Sequence, residues 1–317
     1  MTVPPAQPGT RRRAGRKLNQ PLIKSVIVAL SAIFTAIGSA VTGLGAHLAF
    51  GPMLTWMFGY GADKAQGTAL RFSIVAALTT VISYFVIVAS AHHAGSGYST
   101  ALERAEILLH LMRGLFLLIG STIGAILTAR FTPKPTATGL LRALQSVGVI
   151  VAIFTVTEAL HLTAVTRSNT HYAQLSAWWQ ILLLGLAVGA VTQITRLAAG
   201  TLMIPALYFL TAVPNSVLGL RPLTPAEAVI EALIVVLLAA LLPAWGYSQR
   251  KLVDGTYLFP ATLGALVGGA IGAMLLNNLQ ERAVLMLFGL VAMFFAGREI
   301  ARLAIEPPPK PDTTLPG

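Results

Sequence analysis

Residues 42–54 read T-G-L-G-A-H-L-A-F-G-P-M-L, and residues 195–207 read T-R-L-A-A-G-T-L-M-I-P-A-L. The two stretches align without a gap, so that Pro52 falls on Pro205. Two further pairs of similar stretches follow in the same order in each half: K-A-Q-G-T-A-L (64–70) with E-A-V-I-E-A-L (227–233), and G-S-T-I-G-A-I-L (120–127) with G-G-A-I-G-A-M-L (268–275). This order predicts a tandem duplication. Duplicated units with broken helices are typical of membrane transporters.

Composition places the chain in a membrane. Hydrophobic residues make up 55% of its 317 positions and charged residues 10%, and the mean hydropathy is +0.75, values that exclude a water-soluble globular protein. Apolar stretches of spanning length recur at 22–44, 69–91, 107–130, 143–165, 178–195, 226–246, 257–276 and 283–304. Two more apolar stretches, 48–59 and 201–212, would form only about 18 Å of helix against a hydrocarbon core of about 30 Å. We expect these two to be short, tilted or re-entrant.

The segments predict an all-α polytopic membrane protein with about ten membrane segments. Five segments in each half require the second half to lie upside down relative to the first, so we expect two inverted repeats, each with a broken or re-entrant short helix. The repeats are expected at 22–165 and 178–304. A disordered basic arm at 1–21 and a disordered tail at 305–317 would flank them on the cytoplasmic side.

The positive charges agree with this topology. With a cytoplasmic N-terminus, the outer loops receive one arginine each: Arg104, Arg167, Arg221 and Arg282. The inner side receives the larger set: Arg11, Arg12, Arg13, Arg16, Lys17, Lys24, Lys64, Arg130, Lys134, Arg142, Arg250, Lys251, Arg298, Arg302 and Lys310. This asymmetry predicts a multi-pass protein of the cell inner membrane with both termini in the cytoplasm. Anionic lipid headgroups account for the net charge of +11 better than a nucleic acid does.

The remaining composition narrows the function. The chain has no cysteine, which excludes thiolate catalysis and cysteine-ligated metals. It also lacks a paired-aspartate metal motif and a nucleophile with a nearby base, so we expect no enzyme activity and no cofactor. The expected partners are a small anionic substrate and membrane lipids, and the sequence leaves room for a homo-oligomer.

Helix boundary signals locate the region of interest. Thr224, Pro225 and Glu227 form a capping box with proline at the first helical position, so a helix should begin there. Gly43 and Gly45 suit a turn in which the backbone approaches another backbone or a ligand. Irregular backbone at membrane depth is tolerated where it is buried in protein or lines a wet cavity. A binding site is therefore expected at the two broken segments.

These motifs resemble the sulfite exporter TauE/SafE family, also called the TSUP transmembrane transporter superfamily. Its repeat resembles a glycine-rich turn followed by P-x-L, then A-x-G-T-S-L, then a G-xxx-G-A helix, and the resemblance covers about residues 25–304. The matching residues of the first half are Gly43, Leu44, Gly45, Pro52, Leu54, Ala65, Gly67, Thr68, Leu70, Gly120, Gly124 and Ala125. Those of the second half are Pro205, Leu207, Ala228, Leu233, Gly268, Gly272 and Ala273.

The resemblance implies a secondary transporter, usually an exporter, of a small sulfur oxyanion such as sulfite, thiosulfate or an organosulfonate, with coupling to protons. A passive anion channel and a transporter of a non-sulfur organic anion are the alternatives, and a membrane-embedded enzyme ranks below both. The chain departs from the family pattern at Ala46, His47 and Arg196, where glycines are usual. The glycine turn therefore differs from that of the family.

Two arginines are candidate anion ligands. Arg196 lies between a full helix and a short one, where a buried guanidinium needs a partner and matches an oxyanion with two donors. It could equally pair with Glu231 or a carbonyl group, or lie at an interface. Arg71 shares a helix face with Thr68, three residues earlier, and either contacts substrate or extends to the headgroups.

Two titratable side chains are candidate proton carriers. Glu231 occupies the repeat position of Thr68, and a buried carboxyl there could carry a proton or form a structural ion pair with Arg196. His47 could titrate near neutrality or serve as a packing residue. His92, His93 and His110 are expected at or near an outer loop, without the spacing of metal ligands.

The remaining substrate-binding candidates are backbone and amide groups near the second break. Gln193 and Thr195 could donate hydrogen bonds to an oxyanion or satisfy the broken helix backbone. If both hairpins are re-entrant, residues 43–47 and Thr195–Gly200 should meet near the midplane. Their short helices would then direct positive dipole ends toward one anion.

Overall fold

The computed structural model describes residues 20–95, 100–131, 138–161, 178–195, 199–212 and 223–305. These ranges contain ten helices and no strand. In chain order the helices are α1 (Gln20–Thr42), α2 (His47–Phe58), α3 (Ala62–Gly95), α4 (Thr100–Phe131), α5 (Thr138–His161), α6 (Trp178–Thr195), α7 (Ala199–Ala212), α8 (Pro225–Gln249), α9 (Gly255–Asn278) and α10 (Glu281–Ile305). The all-α prediction is confirmed.

Five of the described helices, α1, α3, α4, α8 and α9, are long and apolar enough to cross a membrane. Large apolar side chains cover the outer surface of the bundle, among them Phe34 with 72% and Leu242 with 76% of the side-chain surface exposed. A surface of this kind suits lipid rather than water. The structure is thus that of a multi-pass membrane protein.

Some helices begin before the apolar stretches that predict them. α3 starts at Ala62 rather than at residue 69, and α4 starts at Thr100 rather than at residue 107. Polar side chains such as those of Asp63 and Lys64 fill the added turn of α3. Hydropathy underestimates helix length here, because a membrane helix continues into the headgroup region with polar residues.

The two short helices lie where the sequence predicts them, at α2 and α7, and each contains its repeat proline, Pro52 or Pro205. The turn before α2 has left-handed backbone at Gly43, with φ of +66°, and at Gly45, with φ of +83°. A side chain at either position would be strained. This conformation explains why the first repeat carries glycine at both places.

The two halves pack against each other along two helix pairs, α4 with α6 and α9 with α1, which we call the reciprocal seams. α4, from the first half, packs along α6 of the second, and a methyl group at Gly124 or Gly189 would overlap the backbone of the facing helix. In the same way α9 packs along α1, with Gly264 against Ala29 and Gly268 against Ile33. Small residues allow this close backbone approach in membrane bundles. Each half therefore makes its tightest contact with the other half.

The contacts along these helices give the relative directions of the pairs. Residues later in α9 contact residues later in α1, and the same holds for α4 and α6, so the two helices of each pair are parallel. The start of α3 instead meets the end of α8: Arg71 Nη2 donates to Ser248 Oγ at 2.5 Å. α3 and α8, which hold the same place in the two repeats, thus run antiparallel.

Helix α8 lies at the centre and begins as the sequence predicts. Thr224 Oγ1 accepts from the Glu227 N–H at 2.9 Å, and the Thr224 N–H donates to Glu227 Oε2 at 2.6 Å, which forms the capping box. The first turns of α8 are almost entirely buried, and the helix packs against α3, α4 and α7. Its inward faces form the candidate site.

Candidate functional site

A cluster of three charged or titratable side chains is buried between α4 and α8. The Glu231 side chain is fully buried, and its Oε1 lies 2.9 Å from His110 Nδ1 and 3.4 Å from Arg113 Nη1. His110 and Arg113 are 5% and 4% exposed. We call these three residues the Glu231 cluster.

Local sequence on α4 brings the cluster together. His110 and Arg113 are three residues apart and so share a helix face. The next residue, Gly114, allows close approach, because a Cβ there would lie 2.5 Å from Ile234 Cγ2 on α8. The Phe85 ring, 6.1 Å from the His110 ring between centroids, covers the cluster from α3.

The charges of the cluster depend on one another. Among the described side chains that are buried, Glu231, His110 and Arg113 are the only ionisable or charged ones apart from tyrosines. Burying a single charge costs several kcal/mol, roughly 3–5 if its partner is removed, so Glu231 and Arg113 stabilise each other. The pairing leaves one group unsatisfied: Glu231 Oε2 has no hydrogen-bond partner among the described residues.

Glu231 is predicted from the sequence as a site residue, whereas its partners His110 and Arg113 are not. Arg113 lies inside the apolar stretch 107–130, and the rule that a charge at membrane depth needs a partner would have identified it. The expectation that His110 lies at or near an outer loop is wrong, because His110 is buried in the interface between α4 and α8. The partner expected for Glu231 from sequence, Arg196, lies outside the described residues.

A second feature is the junction of the two short segments. A Cβ on Gly200 would lie 2.9 Å from the carbonyl oxygen of Gly43, and one on Gly43 would lie 2.6 Å from Ile204 Cδ1 and 3.5 Å from Val229 Cα. The turn before α2 thus touches the first turn of α7 and the backbone of α8. The structure brings together the predicted site residues Gly43 and Gly200.

His47 begins α2 beside this junction. Its Nδ1 lies 3.3 Å from Ser73 Oγ, and its ring would contact a Cβ placed on Gly45 at 2.9 Å. The same Cβ would lie 3.3 Å from Val236 Cγ1 on α8. His47 and Gly45 are therefore close to each other and to α8, but the structure shows no contact from His47 to Glu231.

Thr68 and Arg71 lie at the other end of α8. The buried Thr68 hydroxyl donates to the Lys64 carbonyl at 2.8 Å and accepts from the Asp254 N–H at 3.0 Å. The exposed Arg71 donates to Ser248 Oγ through both Nε and Nη2. The structure therefore places both in contact with the α8–α9 connection, away from the Glu231 cluster.

The remaining predicted residues belong to α6 and the segment after it. Gln193 is exposed on α6. The side chain of Thr195 and the whole of Arg196 lie outside the described residues.

The junction and the Glu231 cluster lie at one level of α8 but on different faces. Val229, which faces Gly43, is two residues before Glu231. Two residues separate these side chains by about 3 Å along the helix axis and by about 200° around it. α8 therefore separates the two features and touches both.

Polar contacts of Asp254 join the α8–α9 connection to the α2–α3 connection. Asp254 Oδ2 lies 2.7 Å from Lys64 Nζ and accepts from the Tyr60 hydroxyl at 2.7 Å, while Oδ1 accepts from the Thr256 N–H. Partial burial acts to raise the pKa of Asp254, but the hydrogen bonds from Lys64, Tyr60 and Thr256 outweigh it and hold that pKa well below its usual range. Burial and the Asp254 carboxylate raise the pKa of Tyr60.

Residues 181–316 match the family model described as Sulfite exporter TauE/SafE. The match takes in most of the predicted second repeat and agrees with the resemblance that the motifs predict. No curated protein and no solved structure matches the chain.

Proposed function

We propose, from the premise that residues 181–316 match the sulfite exporter TauE/SafE family, that this protein is a proton-coupled secondary transporter of a small sulfur oxyanion. The family is one of membrane transporters, and the helical, lipid-facing bundle suits that class. Sulfite, thiosulfate and organosulfonates are the substrates we favour.

The observation that carries the proposal is the buried Glu231 carboxylate with one unpartnered oxygen. Ionisable residues at membrane depth pair with one another and mark proton relays and substrate paths in transporters. A passive channel would need no such group. His47, beside the junction of the short helices, is a second candidate proton carrier.

Support for an alternating transporter also comes from the helix arrangement. Two short helices begin at a junction in the interior, and the repeat-equivalent helices α3 and α8 run antiparallel. An inverted repeat requires such a relation, and inverted repeats generate the two access states of many transporters. The region after Thr195, including Arg196, belongs to the proposed substrate path.

The test is flux in proteoliposomes that contain the full-length protein. Labelled sulfite, thiosulfate and an organosulfonate are supplied in turn, with and without an imposed pH gradient. We expect at least one oxyanion to accumulate only when the gradient is present. Absence of gradient-dependent flux for every oxyanion would reject the proposal.

Substitution of Glu231 separates the transporter from the channel. Glu231→Gln should abolish accumulation driven by the pH gradient, because the site can no longer exchange a proton. Glu158→Gln, on α5 and half-buried, is the matched control and should leave accumulation unchanged. Unaltered flux and unaltered pH dependence in Glu231→Gln would favour the channel.

A further inference from the structure

We infer that the Glu231 carboxylate occupies the place of the transported oxyanion. In this inference, which rests on the proposed function, Arg113 and His110 are the anion ligands and Glu231 competes with the anion for them. When Glu231 is ionised it pairs with both donors. When it takes up a proton, the donors are released and the oxyanion replaces it.

The geometry of the cluster is that of a replaceable ligand. A structural arginine–carboxylate pair is frequently bidentate, with two parallel hydrogen bonds. Here both donors converge on Oε1, Arg113 contacts it through Nη1 alone at 3.4 Å, and Oε2 has no partner in the described part of the chain. A guanidinium has five N–H donors, and the structure assigns one of them to Glu231.

The donors suit an oxyanion. The planar arginine fork matches two oxygens of a sulfite or thiosulfate group, as it matches a carboxylate or phosphate, and the histidine N–H adds a further donor. The Phe85 ring lies 6.1 Å from the His110 ring between centroids, and Ile234 packs against Gly114, the residue after Arg113. These apolar neighbours limit water and so strengthen the charge interactions.

One of the two carboxylate oxygens of Glu231 takes up the proton. Oε1 is held by His110 and Arg113, whereas Oε2 is unpartnered among the described residues, so the proton adds to Oε2. The neutral carboxyl no longer offsets the charge of Arg113. Anion binding then requires one bound proton, and the two move together.

The other charged and titratable groups near α8 lie outside the cluster. On α3 they are Asp63, Lys64 and Arg71, near the far end of α8; on α2, His47 lies near Val236. α7 contributes Tyr208, α1 contributes Lys24, α10 contributes Glu281, Arg282 and Arg298, and α8 itself carries Glu227. The contacts that the structure gives for the Glu231 carboxylate are to His110 and Arg113, so the proton that accompanies the anion is assigned to Glu231.

The test is direct binding of labelled thiosulfate, whose charge is constant between pH 5.5 and 7.5, to the full-length protein in nanodiscs. We expect wild-type affinity to fall by up to about tenfold per pH unit, because each bound anion requires one proton on the carboxyl group. Glu231→Gln, which mimics the protonated carboxyl, should bind more tightly than wild type at pH 7.5 and show a smaller change in affinity between pH 5.5 and 7.5.

Arginine variants test the ligand. Arg113→Gln should lose at least tenfold in affinity at both pH values, and Arg113→Lys should bind more weakly than wild type. Arg130→Gln, at the exposed C-terminal end of the same helix as Arg113, is the control and should bind as wild type does. Because Arg113→Gln leaves Glu231 unpaired, the charge-balanced double variant Arg113→Gln with Glu231→Gln is also measured, and its thermal unfolding reports whether it folds.

Distinct outcomes separate the two proposals. If wild type shows pH-driven oxyanion flux but the folded double variant binds thiosulfate normally, or if Glu231→Gln keeps the wild-type pH dependence, the anion site lies elsewhere and this inference is wrong. If wild type neither binds nor moves any oxyanion, both this inference and the proposed function fail.

Discussion

Asp254 joins the α8–α9 connection to the start of α3. It receives hydrogen bonds from Lys64 and Tyr60 and caps α9 through the Thr256 N–H. Its pKa is held well below the usual range. One carboxylate therefore links residues that are 190 positions or more apart in the chain.

We expect acid to weaken this link. A carboxylate whose pKa is lowered by folding contributes stability above its unfolded pKa, about 3.9, and loses that contribution as pH falls below it. Thermal unfolding in detergent should therefore show a lower midpoint at pH 3 than at pH 7. The fall should be smaller in Asp254→Asn, which keeps a side chain able to cap a helix.

Asp63→Asn provides the comparison, since Asp63 is exposed in the first turn of α3. That variant should keep the full acid-dependent fall. An Asp254→Asn protein with the same fall as wild type would show that other carboxylates govern the acid response.

At the residue scale the sequence predicted what depends on local geometry. The capping box at Thr224 and the glycine turn at Gly43 follow from neighbouring residues, and the structure confirms both. The Glu231 cluster depends on a contact across more than a hundred positions, between α4 and α8. Periodicity and hydropathy do not show which distant residues are in contact, so the partners Arg113 and His110 were not predicted.

At the scale of the helices, glycine residues determine how closely two helices can approach each other. A methyl group at Gly124 on α4 would overlap the carbonyl oxygen of Leu186 on α6, whereas one at Gly38 on α1 meets nothing within 4 Å. The same substitution should therefore have opposite effects at the two positions.

We expect Gly124→Ala to lower stability by about 1–3 kcal/mol, the usual cost of overpacking. Gly38→Ala should raise it by about 0.5–1 kcal/mol, because alanine favours a helix where there is room. Equilibrium unfolding in mixed micelles measures both. Equal changes in the two variants would mean that α4 and α6 are not closely packed at Gly124.

The order of the helices was predictable, and their pairing was not. Apolar length gave the number of segments and the short helices α2 and α7. A G-xxx-G pattern such as that of Gly120 and Gly124 allows a close helix contact but does not identify the partner helix. α6 supplies it with Gly185 and Gly189, a pattern of the same spacing.

For the whole molecule, the orientation in the membrane follows from the charges. The α8–α9 connection is predicted in the cytoplasm and the α9–α10 connection outside, while contact between Lys64 and Asp254 places the α2–α3 connection beside the former. The chain contains no cysteine, so an introduced one is its sole thiol.

Gln249→Cys and Gln280→Cys form a matched pair, both exposed and at opposite ends of α9. An impermeant maleimide should label position 280 in right-side-out vesicles and position 249 in inside-out vesicles. Labelling of both positions from one side would disprove a spanning α9. Exchanged labelling would keep the span and reverse the orientation.

The reciprocal seams limit how the molecule can change shape. α4 is joined to α6 by contacts between backbones, and α9 is joined to α1 by backbone contacts and the methyl groups of Ala32, Ala36 and Ala40. Rotation of one half against the other would have to break both seams at once. Helices drawn from different halves must therefore move as single bodies, and the boundaries between moving parts do not coincide with the boundary between the repeats.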